Sequence, residues 1–348
     1  MKKQGPRSFD FPAYLEAKFA VDSASLNASL YARFKEHLRC TADLRILDLG
    51  TGTGAMLRRI LQLDLSGRVH LIGLDQEEQN LAAGVDRIAQ TLEDRGYRIV
   101  EKRQNAADRS IRGRRRGNEI WIQFLQGDLL DPGTTGTLPP MDCITAHAFM
   151  DLMPLRRAVA VIRSALKEDG LFYSTLNYDG LTVLLPEYED GGFERRLLRI
   201  YDRSMEARRS RGAKTGGALS GRRLYRSLLE GGFVILGMGS SDWNVFPAEG
   251  SYTDDQKLFL TAIVSMIEAE ARRARRKAGA GTQAGAKPIV EPGRLAGWYA
   301  DRLEDVRNHK LALIVHQLDL LARPGLRGSA PGGQTDEFYD RMGVGTPL

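Results

Sequence analysis

Between Leu44 and Leu57 the chain reads LRILDLGTGTGAML. Arg45 to Asp48 reads as a buried strand, apolar at Ile46 and Leu47, and glycines follow at alternate positions, Gly50, Gly52 and Gly54. A helical pattern opens immediately behind them with Met56, Leu57, Ile60 and Leu61. A strand that feeds a helix through such a loop must reverse through positive φ and bring its backbone close to a ligand. Glycine, having no Cβ, serves both needs. The stretch is therefore a nucleotide-binding turn in an α/β fold. Gly50-x-Gly52-x-x-Ala55 also satisfies the dinucleotide fingerprint with its permitted final alanine, so the loop alone does not choose the nucleotide.

Two further stretches separate the readings. VHLIGLD, Val69 to Asp75, is a second apolar strand that ends in an acid about twenty residues on, the spacing of a carboxylate that holds ribose hydroxyls. FLQGDLLD, Phe124 to Asp131, follows later. Together with Asp48, which gives Asp-x-Gly-x-Gly-x-Gly, these motifs resemble in kind and order those of class I S-adenosylmethionine-dependent methyltransferases, over roughly Leu44 to Val245. The resemblance implies a Rossmann-like doubly wound sheet, mostly parallel, with a C-terminal antiparallel hairpin and helical additions at both ends. It also implies S-adenosyl-L-methionine as cofactor. The loop amides of Gly50, Thr51, Gly52 and Gly54 would meet the methionine carboxylate and Asp48 its amino group. Asp75, followed by Gln76, would accept the ribose hydroxyls, Asp128 the adenine amino group, and Leu129 would pack on the ring.

The bulk of the sequence sets outer limits. With 348 residues, the chain can bury a full α/β core and still carry about a hundred residues of additions. Hydrophobic content of 42% and charged content of 27% are those of a globular protein, and no apolar run is long enough to span a membrane. MKKQGPRSFDF lacks an apolar signal core, and Cys40 and Cys143 read as reduced core thiols without metal-ligand spacing. These features point to a cytoplasmic protein with neither a metal nor a membrane partner. Much of the net charge of +6 comes from Arg112–Arg116, Arg208–Arg211 and Arg272–Lys277, which read as solvated surface.

Taken in order, residues 1–43 read as cap helices behind a frayed start, with Leu26, Leu30, Phe34 and Leu38 on one face and Lys18 to Tyr31 placed to touch ligand or simply to pack. Residues 44–250 form the methyltransferase-like domain, with insertions at 97–118 and 181–220. The first insertion reads as a hairpin whose arginine-rich tip should be mobile, since like charges cannot pack. Phe233–Met238 and Trp243–Phe246 would pair as the closing hairpin. Residues 251–322 read as a helical extension with a flexible linker over 272–288, and the tail 323–348 as disordered. Leu295 to Leu321 is expected to be helical. Its end, LALIVHQLDLLA, is apolar around most of its circumference and must be buried, over the acceptor or in a homodimer contact.

Acceptor chemistry is read from the carboxyl ends of the strands, where ligands of open α/β sheets lie. His147 and Asp151 after the fourth strand, and Tyr178 after the fifth, are the catalytic candidates. Imidazole titrates near neutrality and suits a general base, with Asp151 to orient it; a satisfied structural histidine is the competing reading. No Asn/Asp-Pro-Pro-aromatic sequence closes strand four, no Pro-Cys nucleophile is present, and no RNA-binding module is appended. The expectation is a methyltransferase acting on an O or N atom of a small-molecule acceptor, without specific nucleic acid. An RNA methyltransferase, a nicotinamide-dependent oxidoreductase and a non-catalytic adenosylmethionine-binding protein are the alternatives.

Overall fold

The structure is a computed structural model that describes residues 11–41, 43–105, 108–279 and 290–325. Strand β1 (Leu44–Leu49) lies inside a 10-stranded sheet, between β2 (Arg68–Asp75) and β6 (Met141–His147), both parallel to it. Next come β5 (Asn118–Gln126) beyond β2 and β7 (Leu166–Leu185) beyond β6, again parallel. The two ends of the sheet are antiparallel. On one side β4 (Arg109–Arg115) and β3 (Arg98–Gln104) continue from β5. On the other, β12 (Ala312–Pro324) follows β7 and carries β10 (Phe233–Ser240) and the short β11 (Trp243–Val245). The Rossmann-like doubly wound sheet expected from the sequence is present, parallel through its central strands β7, β6, β1, β2 and β5.

Both faces of the central strands are covered, so neighbouring residues such as Ile46 and Leu47 are each buried, on opposite sides. Helices α2 (Ala28–Arg39), α3 (Ala55–Leu61) and α4 (Glu78–Asp94) pack Phe34, Leu57 and Ile88 over one face. Helices α6 (Leu155–Ala165) and α8 (Ser220–Glu230) pack Val159, Ile162 and Leu224 over the other, while α5 (Pro132–Thr135) is a single turn. A third cluster sits at the far end of β7 and β12. There α1 (Phe11–Ser25), α7 (Gly191–Glu206), α9 (Asp254–Gly279) and α10 (Pro292–Arg307) gather around Trp243, Phe259 and Trp298. Arg302 of α10, fully buried, is matched by both oxygens of Glu194 on α7 at 2.8 Å. A guanidinium buried in this fork-to-carboxylate geometry fixes the angle between the helices.

The structure corrects the sequence reading in several places. LALIVHQLDLLA is no helix: α10 stops at Arg307, and the segment becomes β12, lodged between β7 and β10. An interior strand is apolar on both faces, so its composition mimics a helix buried all round. The sheet itself supplies the burial that a lid or a second subunit was expected to provide. Trp243–Val245 therefore pairs with β12 rather than with β10. Strand β7 runs on to Leu185, so Tyr178 lies within a strand and not in an exit loop. Arg112–Arg116 is no mobile tip. These residues belong to β4 and its turn, and Arg112, Arg114 and Arg115 pair with Glu101, Glu119 and Asp64. Helix α9 continues through residues 272–279, where a linker was expected; 280–288 lie outside the described residues, as do 1–10 and the tail beyond 325. Cys143 is buried, but Cys40 is exposed at the C-terminal cap of α2.

A chain ending at Gly279 lacks β12 and leaves the edges of β7 and β10 unpaired. We expect it to lose cooperative unfolding and near-ultraviolet circular dichroism. A soluble, cooperatively unfolding fragment would contradict the placement of β12.

Candidate functional site

The glycine loop leaves β1 at the carboxyl edge of the sheet and winds through Gly50, Gly52 and Gly54, all at positive φ, into α3. At Gly50 (φ +62) a Cβ would stand 2.1 Å from the Phe149 ring, so the loop and the segment after β6 close together only because that atom is missing. The loop floors a groove of about 550 Å³ whose wall includes Gly50, Thr51, Gly52, Asp75, Gln76 and Leu129. His147, Phe149 and α1, through Tyr14 and Lys18, close the other side.

The acids expected to hold a cofactor occupy distinct places. Asp75 lies on the groove wall, where Oδ2 accepts from the Gly52 amide (2.8 Å) and Oδ1 from the Glu77 amide (2.9 Å). Asp48 is beneath the loop, 1% exposed, accepting from the hydroxyls of Thr51 (2.7 Å) and Thr145 (2.6 Å). Burial pushes its carboxyl up to about 6, against the two hydroxyls. Gly127 and Leu129 line the groove but Asp128 between them does not; its carboxylate is taken by Arg211 at 2.7 Å and the Leu130 amide at 2.8 Å. Gly54 caps α3 without lining the groove.

His147 ends β6 with both ring nitrogens engaged. Nε2 lies 2.9 Å from Asp22 Oδ2 and Nδ1 2.7 Å from Thr175 Oγ1. Asp22, on α1, is buried; burial alone would raise its carboxyl, but Lys18, His147 and Arg59 bring it well below the ordinary range. It is therefore an ionised acceptor, so Nε2 carries the proton and Nδ1 accepts from Thr175. Burial and the adjacent Arg59 lower the imidazole to about 4, leaving it neutral. Trp243 Nε1 donates to the other Asp22 oxygen at 2.9 Å. The sequence suggested that Lys18 to Tyr31 touch the site but singled out neither Lys18 nor Asp22; the i,i+4 acid–base pair on one helix was the signal available.

A second chamber of about 170 Å³ adjoins the groove, and Lys18, Ala148 and Arg208 line both. Tyr178, Leu176, Trp243 and Ile263 are among its walls. Tyr178 donates its hydroxyl to Asp202 at 2.8 Å, and burial raises that phenol far above its ordinary value. Asp151, in a short 3-10 turn after β6, reaches the chamber with one oxygen on Arg208 Nη1 at 3.1 Å. Burial raises its carboxyl, and Arg208 partly offsets this. The structure thus brings Asp151 and Tyr178 to one chamber and leaves His147 in the groove wall, bonded to Asp22 and Thr175 and, among the described residues, to neither Asp151 nor Tyr178. The run Arg208–Arg211, expected to be solvated, is so at Arg209 and Arg211, which are exposed, while Arg208 and Ser210 line the site. It precedes and forms a small hairpin, β8 (Arg209–Ser210) with β9 (Ala213–Lys214), that bonds Asp151 through Arg208 and Asp128 through Arg211. Among the described residues no cluster of His, Cys, Asp and Glu is arranged to hold a metal, and no helix is long and apolar enough to cross a membrane.

Neither a family model nor a curated protein matches the chain. Among solved structures, the YcgJ protein from Bacillus subtilis is similar at 15% identity, covering 85% of this chain and 97% of its own, with a TM-score of 0.41. A SAM-dependent methyltransferase from Thiobacillus denitrificans in complex with S-adenosyl-L-homocysteine shares 13% identity over 87% of this chain and 96% of its own, at 0.39. Geranyl diphosphate C-methyltransferase from Streptomyces coelicolor A3(2) shares 10% over 85% and 80%, at 0.37. At such distances the likeness says nothing of substrate, which rests on the residues of the site.

Asp48 and His147 give opposed pH dependences. A carboxyl raised to about 6 adds stability that is full below its unfolded pKa and is lost as pH rises through 6. An imidazole lowered to about 4 does the reverse, its contribution present above the unfolded value and lost as pH falls. Asp48→Asn removes only the first, which at about two pH units amounts to roughly 3 kcal/mol. Urea titrations at pH 7 and pH 4 should therefore show the variant losing more stability on acidification than the parent, by up to about that amount. An identical change in both proteins would contradict the burial of Asp48.

Proposed function

We propose that this chain is an S-adenosyl-L-methionine-dependent methyltransferase whose acceptor is a small molecule. One observation carries the reading: a carboxylate at the end of β2 braces the glycine loop from within a groove that opens, at Ala148 and Arg208, into a second, smaller chamber. The first compartment has the parts an adenosyl ligand needs. Backbone amides lie at a helix start, Asp75 stands beside them for ribose hydroxyls, and Leu129 offers an apolar wall for a purine. Adenosylmethionine, when bound, supplies a sulfonium methyl that an acceptor lone pair takes as the carbon–sulfur electrons return to sulfur.

Nucleic acid is disfavoured by the arginine runs themselves, whose guanidiniums are largely spent on carboxylates of this chain. The protein's own contribution to chemistry is to hold the acceptor and to receive a proton. With both nitrogens of His147 engaged, Asp151 is the group placed to do so, and His147 serves to fix α1 over the groove.

Calorimetry should show adenosylmethionine and adenosylhomocysteine binding, weakened in Asp75→Ala by about 1.5–3 kcal/mol for each charged hydrogen bond lost. Binding of NADH without adenosylhomocysteine would overturn the assignment. His147→Ala should weaken cofactor binding and lower the melting temperature together, because it unpins α1. A variant with intact affinity and stability but turnover reduced about 10²–10⁴-fold would return the general-base role to His147.

A further inference from the structure

The chamber beside the groove is small, largely apolar and electrically balanced. Its volume of about 170 Å³ is close to that of the dry cavity of roughly 150 Å³ known to take a benzene ring. Leu176, Trp243, Ile263 and Ile267 form apolar walls, and the body of the Tyr178 ring adds another. The charged groups present are already paired: Lys18 with Asp22, and Arg208 with Asp151. With these two cations and two anions balanced, an ammonium or a carboxylate entering here would lose its water without gaining an unpaired counter-ion. A neutral ring avoids both penalties.

Polar capacity left over is concentrated at one end. Asp151 has one carboxylate oxygen on Arg208, and the Tyr201 hydroxyl makes no hydrogen bond among the described residues. Both lie on the wall that carries Arg208, the residue shared with the cofactor groove. Two non-glycine residues in left-handed backbone, Ala148 (φ 49) and Leu176 (φ 55), also line this chamber. Such geometry costs about 1–2 kcal/mol at each residue and persists only where surrounding contacts enforce it. Here they do: Ala148 donates its amide to Thr175 O at 2.9 Å and Leu176 to the buried Asp319 at 2.8 Å.

We infer that the acceptor is a neutral single-ring phenol, held in this chamber with its hydroxyl toward Asp151 and Tyr201. The inference rests on the methyltransferase reading and names its substrate class. Asp151 receives the phenolic proton on its carboxylate as the oxygen lone pair becomes available for the methyl, and later releases it to solvent. A carboxyl whose affinity for protons is raised by burial suits that task.

The test uses the full chain saturated with adenosylhomocysteine and titrates phenol, 4-methylphenol, 1-naphthol, benzoate and benzylamine by calorimetry and ligand-observed NMR. We expect saturable binding of the two phenols, with naphthol, benzoate and benzylamine at least tenfold weaker. With adenosylmethionine the phenols should yield their methyl ethers. Asp151→Asn should leave phenol binding within about threefold and slow ether formation about 10²–10⁴-fold. Ile263→Phe, which fills the chamber away from the groove, should abolish phenol binding while adenosylhomocysteine affinity is kept. Should that variant not fold, the size and charge series on the unmodified chain still decides. Preference for benzoate, benzylamine or naphthol, or phenol binding without ether formation, would overturn the phenol assignment. Absence of adenosylhomocysteine binding at the outset would instead overturn the methyltransferase reading itself.

Discussion

The site depends on one buried carboxylate. Asp22 sits on α1 and reaches across 125 residues of sequence to the imidazole at the end of β6, while Lys18 and the Trp243 indole take its remaining capacity. Taking such a charge out of water costs several kcal/mol, so it is tolerated only when its lone pairs are filled. Each partner belongs to a different part of the chain: the cap helix, the central sheet and the short strand β11. Removing Lys18, the cation paired with it, would strip that charge of its ion-pair partner in the interior, a loss of about 3–5 kcal/mol. The requirement to keep Asp22 satisfied therefore holds α1 over the groove, and with it Tyr14 and Lys18 on the groove wall.

A second buried carboxylate does comparable work one strand away. Asp319 on β12 accepts the amides of Leu176 and Asn27, at 2.8 and 2.9 Å. It holds β7 in its irregular, left-handed step and ties the start of α2 to the sheet. Burial raises this carboxyl while the amides and neighbouring hydroxyls lower it. The irregularity at Leu176 shapes the chamber wall, so a feature of strand pairing becomes a feature of the chamber. Rigid placement of this kind suits the methyl transfer proposed above, in which the protein mainly positions the reactants.

How much of this could be read beforehand varied with the range of the interactions involved. The strand–glycine–helix turn, the acid closing β2 and the helical faces of α2, α4 and α6 were legible, because each is fixed by residues within a few positions of one another. LALIVHQLDLLA misled for a physical reason. Burial on both sides erases the alternation that marks a half-exposed strand, and only its neighbours β7 and β10 reveal which backbone it adopts. Arg208 and Arg211 looked like solvated charge because nothing in their local sequence announces Asp151 or Asp128.

By itself the sequence determined the fold class, the location of the strand–glycine–helix turn and the identity of the acid beside it. Those features follow from local steric freedom at Gly50, Gly52 and Gly54 and from apolar periodicity, neither of which needs the rest of the chain. Tertiary structure alone decided that His147 is tied on both nitrogens, that Asp151 lines the chamber beside Arg208, and that Asp48 supports the loop from below. Whether an ionisable group is charged, engaged or open to a ligand depends on what surrounds it, and those surroundings come from helices and strands distant in sequence.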